Sequence, residues 1–384
     1  MKGGRSYGEG VYGKALDAVE VPGDADTLFA DLSALEPAEL GRCYAWPPEG
    51  APEGSRKKLS ASQMRAIVAS LSSGSRRGNG ASLIAKRISS REAFLKEMRS
   101  LTAVRKAYSS GGKDGVAEFT TIGSLVLQGV GEVAALETPR ASYVFSVRCD
   151  QALDKFDFGT TADVRAFVRD VLRSFARLHA GGAAHCDVKL DNMIRCSGSS
   201  GARSSSKGAR FKLIDWGGSD TLEDLVVRYT QGVHLPKNTG SPFAWAAWGV
   251  GPALPAFQLG YAVWWYSYDA ASCPAFAALL NSSHASFERA YVSMRRAFFS
   301  RGLKGAQDGE REFRAEVVRR YARSFDLYSL GLVFAHVACL NRPGVSEATR
   351  TSLMRLARVM THYDDPDFCQ DAADLLRRFL GKGS

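Results

Sequence analysis

The 384-residue sequence predicts a mixed α+β chain. Two observations carry that class. Short apolar runs bounded by turn-forming residues sit at 83–88, 193–196 and 211–215, as strands require. Longer stretches at 163–179 and 325–340 repeat apolar residues at helical spacing. Apolar residues make up 45% of the chain, enough for a sizeable core.

Taken in order, residues 1–13 are glycine-rich and polar and lack the apolar segment of a secretory signal. Residues 47–58, 72–80 and 197–208 are rich in Gly, Pro and Ser and read as loops. The run 83–88 reads as a strand and 90–101 as a helix. Within 163–179, Val164, Phe167, Val168, Val171, Leu172, Phe175 and Leu178 share one face, while Arg165, Arg169 and Arg173 point elsewhere. Thr160, three residues before Asp163, is the expected cap of that helix. The runs 193–196 and 211–215 flank a serine-rich stretch and predict a hairpin with a long tip. Residues 281–323 read as two basic amphipathic helices broken near 302–309, and 372–380 as a last helix. The stretch 325–340 is apolar nearly all round, as a helix buried on every side must be.

The formal charge is +10, with the arginines spread along helical segments, so a solvated basic surface is the first reading and acidic partners the second. No specific nucleic acid is predicted, and oligomeric state is not legible. The apolar runs near 255–266 and 327–340 fall short of the roughly 18–20 residues that cross a bilayer, so no membrane span is expected. Seven scattered cysteines without a Cys-x-x-Cys pair favour a reducing compartment, and the expectation is a cytoplasmic protein.

Chemistry concentrates in His185-Cys186-Asp187-Val188-Lys189-Leu190-Asp191-Asn192, just after the amphipathic helix. His, Asp, Lys and Asn at those four offsets arise by chance in about two chains in ten thousand of this composition. The segment resembles the catalytic loop of protein kinases. Ile214-Asp215-Trp216-Gly217 looks like the family's D-F-G element with Trp for Phe. Gly8, Gly10 and Gly13 resemble its glycine-rich loop, and Leu83-Ile84-Ala85-Lys86 its lysine-bearing strand. Glu97, with Glu92 as the alternative, is similar to the helix glutamate that pairs with that lysine. Asp326, in Phe325-Asp326-Leu327-Tyr328-Ser329-Leu330-Gly331, resembles the aspartate that bonds catalytic-loop backbone from the central helix.

The resemblance implies a bilobal fold in a single kinase domain spanning 1–384. Its small β-rich lobe would run over 1–149, with a long insertion at about 22–80. The large helical lobe would run over 150–384, with insertions at about 197–209 and 257–323. It implies ATP and Mg2+ as cofactors and protein hydroxyls as substrate. Asp187 would be the base, Lys189 would meet the transferred phosphate as in serine/threonine kinases, Asn192 and Asp215 would hold magnesium, and Lys86 the α- and β-phosphates. Long insertions also look like divergent kinases of large DNA viruses and microbial eukaryotes. The chain departs from the family at Cys186, which replaces an arginine that pairs with an activating phosphate, and between Asp215 and Asp326 it has no A-P-E tripeptide, with residues 239–243 as a remnant. Two other readings remain: a small-molecule kinase of aminoglycoside or choline type, and a pseudokinase scaffold.

Overall fold

A computed structural model describes residues 6–10, 13–17, 27–47, 56–72, 83–109, 115–127, 130–147, 149, 151–153, 156–196, 210–231, 273–301 and 306–380. The segment 239–243 lies outside them. The fold is mixed α+β and divides into two compact units, one of residues 1–151 with 195–217 and one of 152–194 with 218–384.

In the first unit the elements are β1 (Ser6–Gly10), β2 (Gly13–Asp17), α1 (Thr27–Ser33), α2 (Pro37–Leu40), β3 (Tyr44–Trp46), β4 (Lys57–Lys58), α3 (Ala61–Ser72), β5 (Leu83–Ile88) and α4 (Arg91–Ser109). There follow α5 (Gly115–Phe119), β6 (Leu125–Leu127), β7 (Gly131–Val133), β8 (Ala135–Glu137) and β9 (Ser142–Val147). Seven of the strands form one sheet in the order β1-β2-β5-β9-β8-β3-β4. The register sets Ala15 opposite Lys86, and Lys86 opposite Val144. Tyr143, Val144 and Phe145 are consecutive and all buried, so both faces of β9 are covered. One face packs Ala85, Tyr143 and Phe145 on Leu32, Met64 and Ile67 of α1 and α3. Residues 27–47 and 56–72 therefore fold with the sheet, and Lys57 and Lys58, expected in a loop, form a strand against Tyr44 and Ala45. Their solvent-facing charge hides a strand from pattern reading, because an edge strand with two exposed lysines shows no apolar alternation.

The chain continues through β10 (Gln151–Ala152) to α6 (Thr161–Ala180), β11 (Ala183–Ala184) and a 3-10 turn over Leu190–Asn192. The Thr160 hydroxyl caps α6 by accepting from the Asp163 amide, 3.1 Å. All seven apolar positions read from the sequence are buried, each contributing roughly 1.5–3 kcal/mol of transfer free energy before entropy is subtracted. Beyond β12 (Met193–Arg195), the Cys196 amide donates to the Arg210 carbonyl at 2.8 Å, pairing the two runs as a hairpin into β13 (Phe211–Leu213).

The rest of the second unit is β14 (Asp220–Thr221), α7 (Leu222–Thr230), α8 (Pro274–Phe299), α9 (Ala306–Cys339), α10 (Glu347–Thr361) and α11 (Ala372–Leu380). The sequence suggested that a basic helix ends before Phe325 and an apolar one begins there. Instead α9 is continuous over 34 residues, about 50 Å. Nothing between Gln307 and Leu340 breaks a helix strongly enough, and Gly309 and Gly331 are each worth only about 1 kcal/mol against it. Around Phe325 and Tyr328 gather Leu225, Tyr229, Phe276, Phe287, Phe313 and Tyr363.

Gly331 is needed where α9 meets α10. A Cβ there would approach Thr361 Cγ2 at 2.9 Å, Met360 Cβ at 3.1 Å and the Ala357 carbonyl at 3.2 Å. Alanine gains about 1 kcal/mol of helix propensity, yet overpacking a tight crossing costs roughly 1–3 kcal/mol. Gly331→Ala should therefore lower the melting temperature by a few degrees in a thermal scan, against the rise that propensity alone would give.

His362 lies buried between Ser282 Oγ (2.8 Å) and Thr361 Oγ1 (3.0 Å). Burial, aided by the Arg358 charge and opposed by Asp365 and Asp364, lowers its pKa below the ordinary 6.5. Burial lowers that of His284 as well. A depressed folded pKa means the unfolded chain takes up the proton first, so stability is full above pH 6.5 and declines below it. Melting temperatures measured between pH 7.5 and 5.5 should fall, and less steeply in His362→Gln.

Two disulfides join Cys149 to Cys196 in the first unit and Cys273 to Cys339 in the second. Cys43, Cys186 and Cys369 are buried and belong to neither disulfide. The partners are 47 and 66 residues apart, so no local spacing reveals them, and disulfides persist in oxidising rather than reducing surroundings. The cysteine argument for a reducing compartment is thereby removed. Thiol titration of denatured, unreduced protein should count three thiols, rising to seven after reduction. No helix among the described residues is long and apolar enough to cross a membrane.

Candidate functional site

In the first unit, three residues from separate stretches of sequence meet at one ammonium group. Lys86 Nζ lies 3.2 Å from both Glu97 carboxylate oxygens and 2.8 Å from Asp215 Oδ1. Each reaches that point for a local reason. Lys86 stands on β5, fixed by ladders on both sides. Glu97 sits on α4, one turn beyond the buried Phe94. Asp215 follows β13 with φ 58°, a left-handed conformation that Asp tolerates better than most residues. Trp216 anchors the turn, its ring edge-on to Tyr108 of α4 with centroids 6.1 Å apart.

The electrostatics follow from burial. Burial alone would lower the Lys86 pKa, but the charges of Glu97 and Asp215 outweigh it and hold the ammonium well above its ordinary range. Glu97 is 5% exposed, and burial, with Asp215 adding and Lys86 opposing, raises its pKa. Asp215 is 43% exposed and remains open to solvent. Gly217 closes against the pair: a Cβ there would stand 2.7 Å from Glu97 Oε2, so any side chain displaces the carboxylate. Between the candidate glutamates the geometry selects Glu97, since Glu92 is exposed.

The three glycines also come to this sheet. Gly8 and Gly10 lie in β1 and Gly13 opens β2, with Gly10 opposite Gly13 across the hairpin. Because β2 pairs directly with β5, the 73-residue separation of Gly13 and Lys86 in sequence collapses to neighbouring strands.

In the second unit, β11 pairs with β14 and delivers the chain to His185. The loop is held from below by Asp326, which is fully buried inside α9. Its carboxylate accepts from the His185 amide at 2.8 Å and the Cys186 amide at 2.7 Å, and lies 3.0 Å from His179 Nε2. Asp326 is thus no helix cap. Cys186 takes φ 62°, and a left-handed cysteine is strained by about 1–2 kcal/mol. The strained residue immediately precedes Asp187.

Asp187 is 4% exposed, its amide donating to His185 Nδ1 at 3.3 Å and Lys189 Nζ lying 3.4 Å from its carboxylate. The Asn192 side-chain amide donates to the Asp187 carbonyl at 2.8 Å. With that N–H committed, Asn192 offers its carbonyl oxygen to other partners. Among the described residues no group of three or more His, Cys, Asp and Glu side chains is placed to hold a metal. Asp215 in the first unit and Asn192 in the second each present a hard oxygen, the donor type that magnesium takes.

Sequence reasoning did not find His179, a single histidine near a helix end, nor the left-handed backbone at Cys186 and Asp215, for which no residue pattern exists. It also missed Trp46, Arg56 and Arg91, which converge on Glu137. No family model matches this chain and no curated protein matches it.

Proposed function

We propose that this chain is a protein kinase of serine/threonine type with the bilobal fold of that family. The observation that carries the reading is the Lys86 ammonium between Glu97 and Asp215. Residues 86 and 215 were singled out by separate motifs and 97 as one of two candidate glutamates for the lysine, and a lysine so held resembles the one that meets the α- and β-phosphates in protein kinases. The glycine hairpin on the adjoining strands supports it, since backbone without side chains can approach phosphate closely.

ATP with magnesium, when bound, supplies the phosphoryl group and a divalent charge that offsets its oxygens. Asp215 and Asn192 are the residues suited to hold the metal. Asp187 orients the acceptor hydroxyl and takes its proton as the oxygen–phosphorus bond forms and the bond to the β-phosphate oxygen breaks. Lys189, beside that carboxylate, adds a point charge where the transferred group passes. Two anions keep Lys86 cationic across the physiological range, so its charge is not a pH-sensitive part of the cycle.

The test offers purified protein labelled ATP and magnesium with three sets of acceptors: basic and acidic proteins, amino alcohols, and aminoglycosides. Label on serine or threonine of protein is the expected result. Turnover confined to the small molecules assigns a small-molecule kinase, and nucleotide binding without turnover assigns a scaffold.

A further inference from the structure

Glu137, at the end of β8, is 7% exposed and carries a concentration of partners that the proposed chemistry does not use. Its carboxylate accepts from Trp46 Nε1 at 3.2 Å, from Arg56 at 3.1 Å and from Arg91 Nε at 3.0 Å. Trp46 ends β3 and Arg56 directly precedes β4, whereas Arg91 opens α4, the helix of Glu97. Trp46 reaches the same helix a second way, meeting the buried Phe94 ring edge-to-face with centroids 5.4 Å apart. Arg56 is itself held over the Tyr44 ring at 4.2 Å. Trp46, Arg56 and Glu137 therefore grip α4 at Arg91 and Phe94, two successive turns ahead of Glu97.

Such a grip has a use in this chain in particular. Cys186 stands before Asp187 where an arginine would answer an activating phosphate, and a buried cysteine brings no positive charge to pair with one. The helix position must then be set by something already present. We propose that Trp46, Arg56 and Glu137 are positioning residues that hold α4 so that Glu97 engages Lys86, a built-in activator of the nucleotide site. The inference rests on the phosphotransfer reading. Trp46, Arg56 and Glu137 act only through Glu97, and that dependence is what separates positioning from general stability.

The test is a cycle of Glu137→Gln, Glu97→Gln and the double variant in the full chain, with Arg91→Gln as a second single variant. Arg91 is 54% exposed, so its replacement leaves the core intact. Glu137→Gln should lower kcat/KM about tenfold, mostly through kcat, and add almost nothing in the Glu97→Gln background. An equal loss in both backgrounds overturns the proposal, because Glu137 would then matter only to stability. Acylation of Lys86 by acetic anhydride gives a readout that needs no turnover: loosening Glu97 frees the amine, so Glu137→Gln and Arg91→Gln should label faster than the unaltered chain. If the unaltered chain transfers no phosphate, the kinase reading fails, and labelling alone decides the positioning, an unchanged rate overturning it.

Discussion

Asp187→Asn is expected to reduce phosphate transfer by about 10²–10⁴-fold while leaving the fold intact, the range associated with losing a positioned general base. The substitution keeps the shape of a side chain that is almost entirely buried. It also keeps the two backbone contacts of the residue, its amide to His185 and its carbonyl to Asn192. What disappears is the carboxylate charge and its 3.4 Å contact with Lys189, whose side chain is the more exposed of the two and can turn its ammonium to water. Steady-state kinetics should show the whole loss in kcat with the KM for ATP little changed, and thermal unfolding should shift by a degree or two. A loss confined to KM would remove Asp187 from the role of base.

Asp215→Asn is the second large effect, expected at about 10²–10³-fold in kcat, the scale of removing one preorganised electrostatic partner. Asparagine tolerates the left-handed φ of 58° as aspartate does, so the backbone should hold. Lys86 keeps Glu97 but loses its nearer anion, at 2.8 Å against 3.2 Å, and its raised pKa should relax toward the ordinary value. A weaker metal ligand should also move the magnesium dependence of turnover to higher concentration. Asp215→Ala adds the strain of a left-handed alanine, about 1–2 kcal/mol, which thermal unfolding would register separately from activity. Equal magnesium curves for Asp215→Asn and the unaltered chain would exclude Asp215 as a ligand.

Residues whose roles depend on near neighbours were legible in the sequence. The seven apolar positions of α6, its Thr160 cap and the spacing from His185 to Asn192 each need only a turn or a loop to express. Asp326 was legible as a residue that serves the loop at 185–186, although its helix was expected to begin there rather than twenty residues earlier. Sequence pattern does not report where a long helix starts when basic and apolar faces succeed one another without a breaker.

The folded character of 27–47 and 56–72 was hidden for a different reason. Their helices α1 and α2 have seven and four residues and their strands three and two, too short for a period to establish itself, whereas α3, at twelve residues, is long enough to show one and was missed. The short elements are fixed instead by distant partners, as Trp46 is by Glu137 91 residues later and Asp31 by Arg87 56 residues later. Tyr143 adds its hydroxyl to Asp31 as well. The same non-locality concealed both disulfides. Glycine spacing near the N-terminus was a weak signal on its own, and what gives it weight is the register of β2 against β5, which no reading of residues 8–13 contains.

The central claim is tested most directly by incubating the purified chain with γ-labelled ATP, magnesium and a generic protein acceptor, then hydrolysing the product and identifying the labelled amino acid. Labelled phosphoserine or phosphothreonine that disappears with Asp187→Asn is the predicted result. Label that persists undiminished in that variant, or its absence from the unaltered chain across acceptors, would contradict the account.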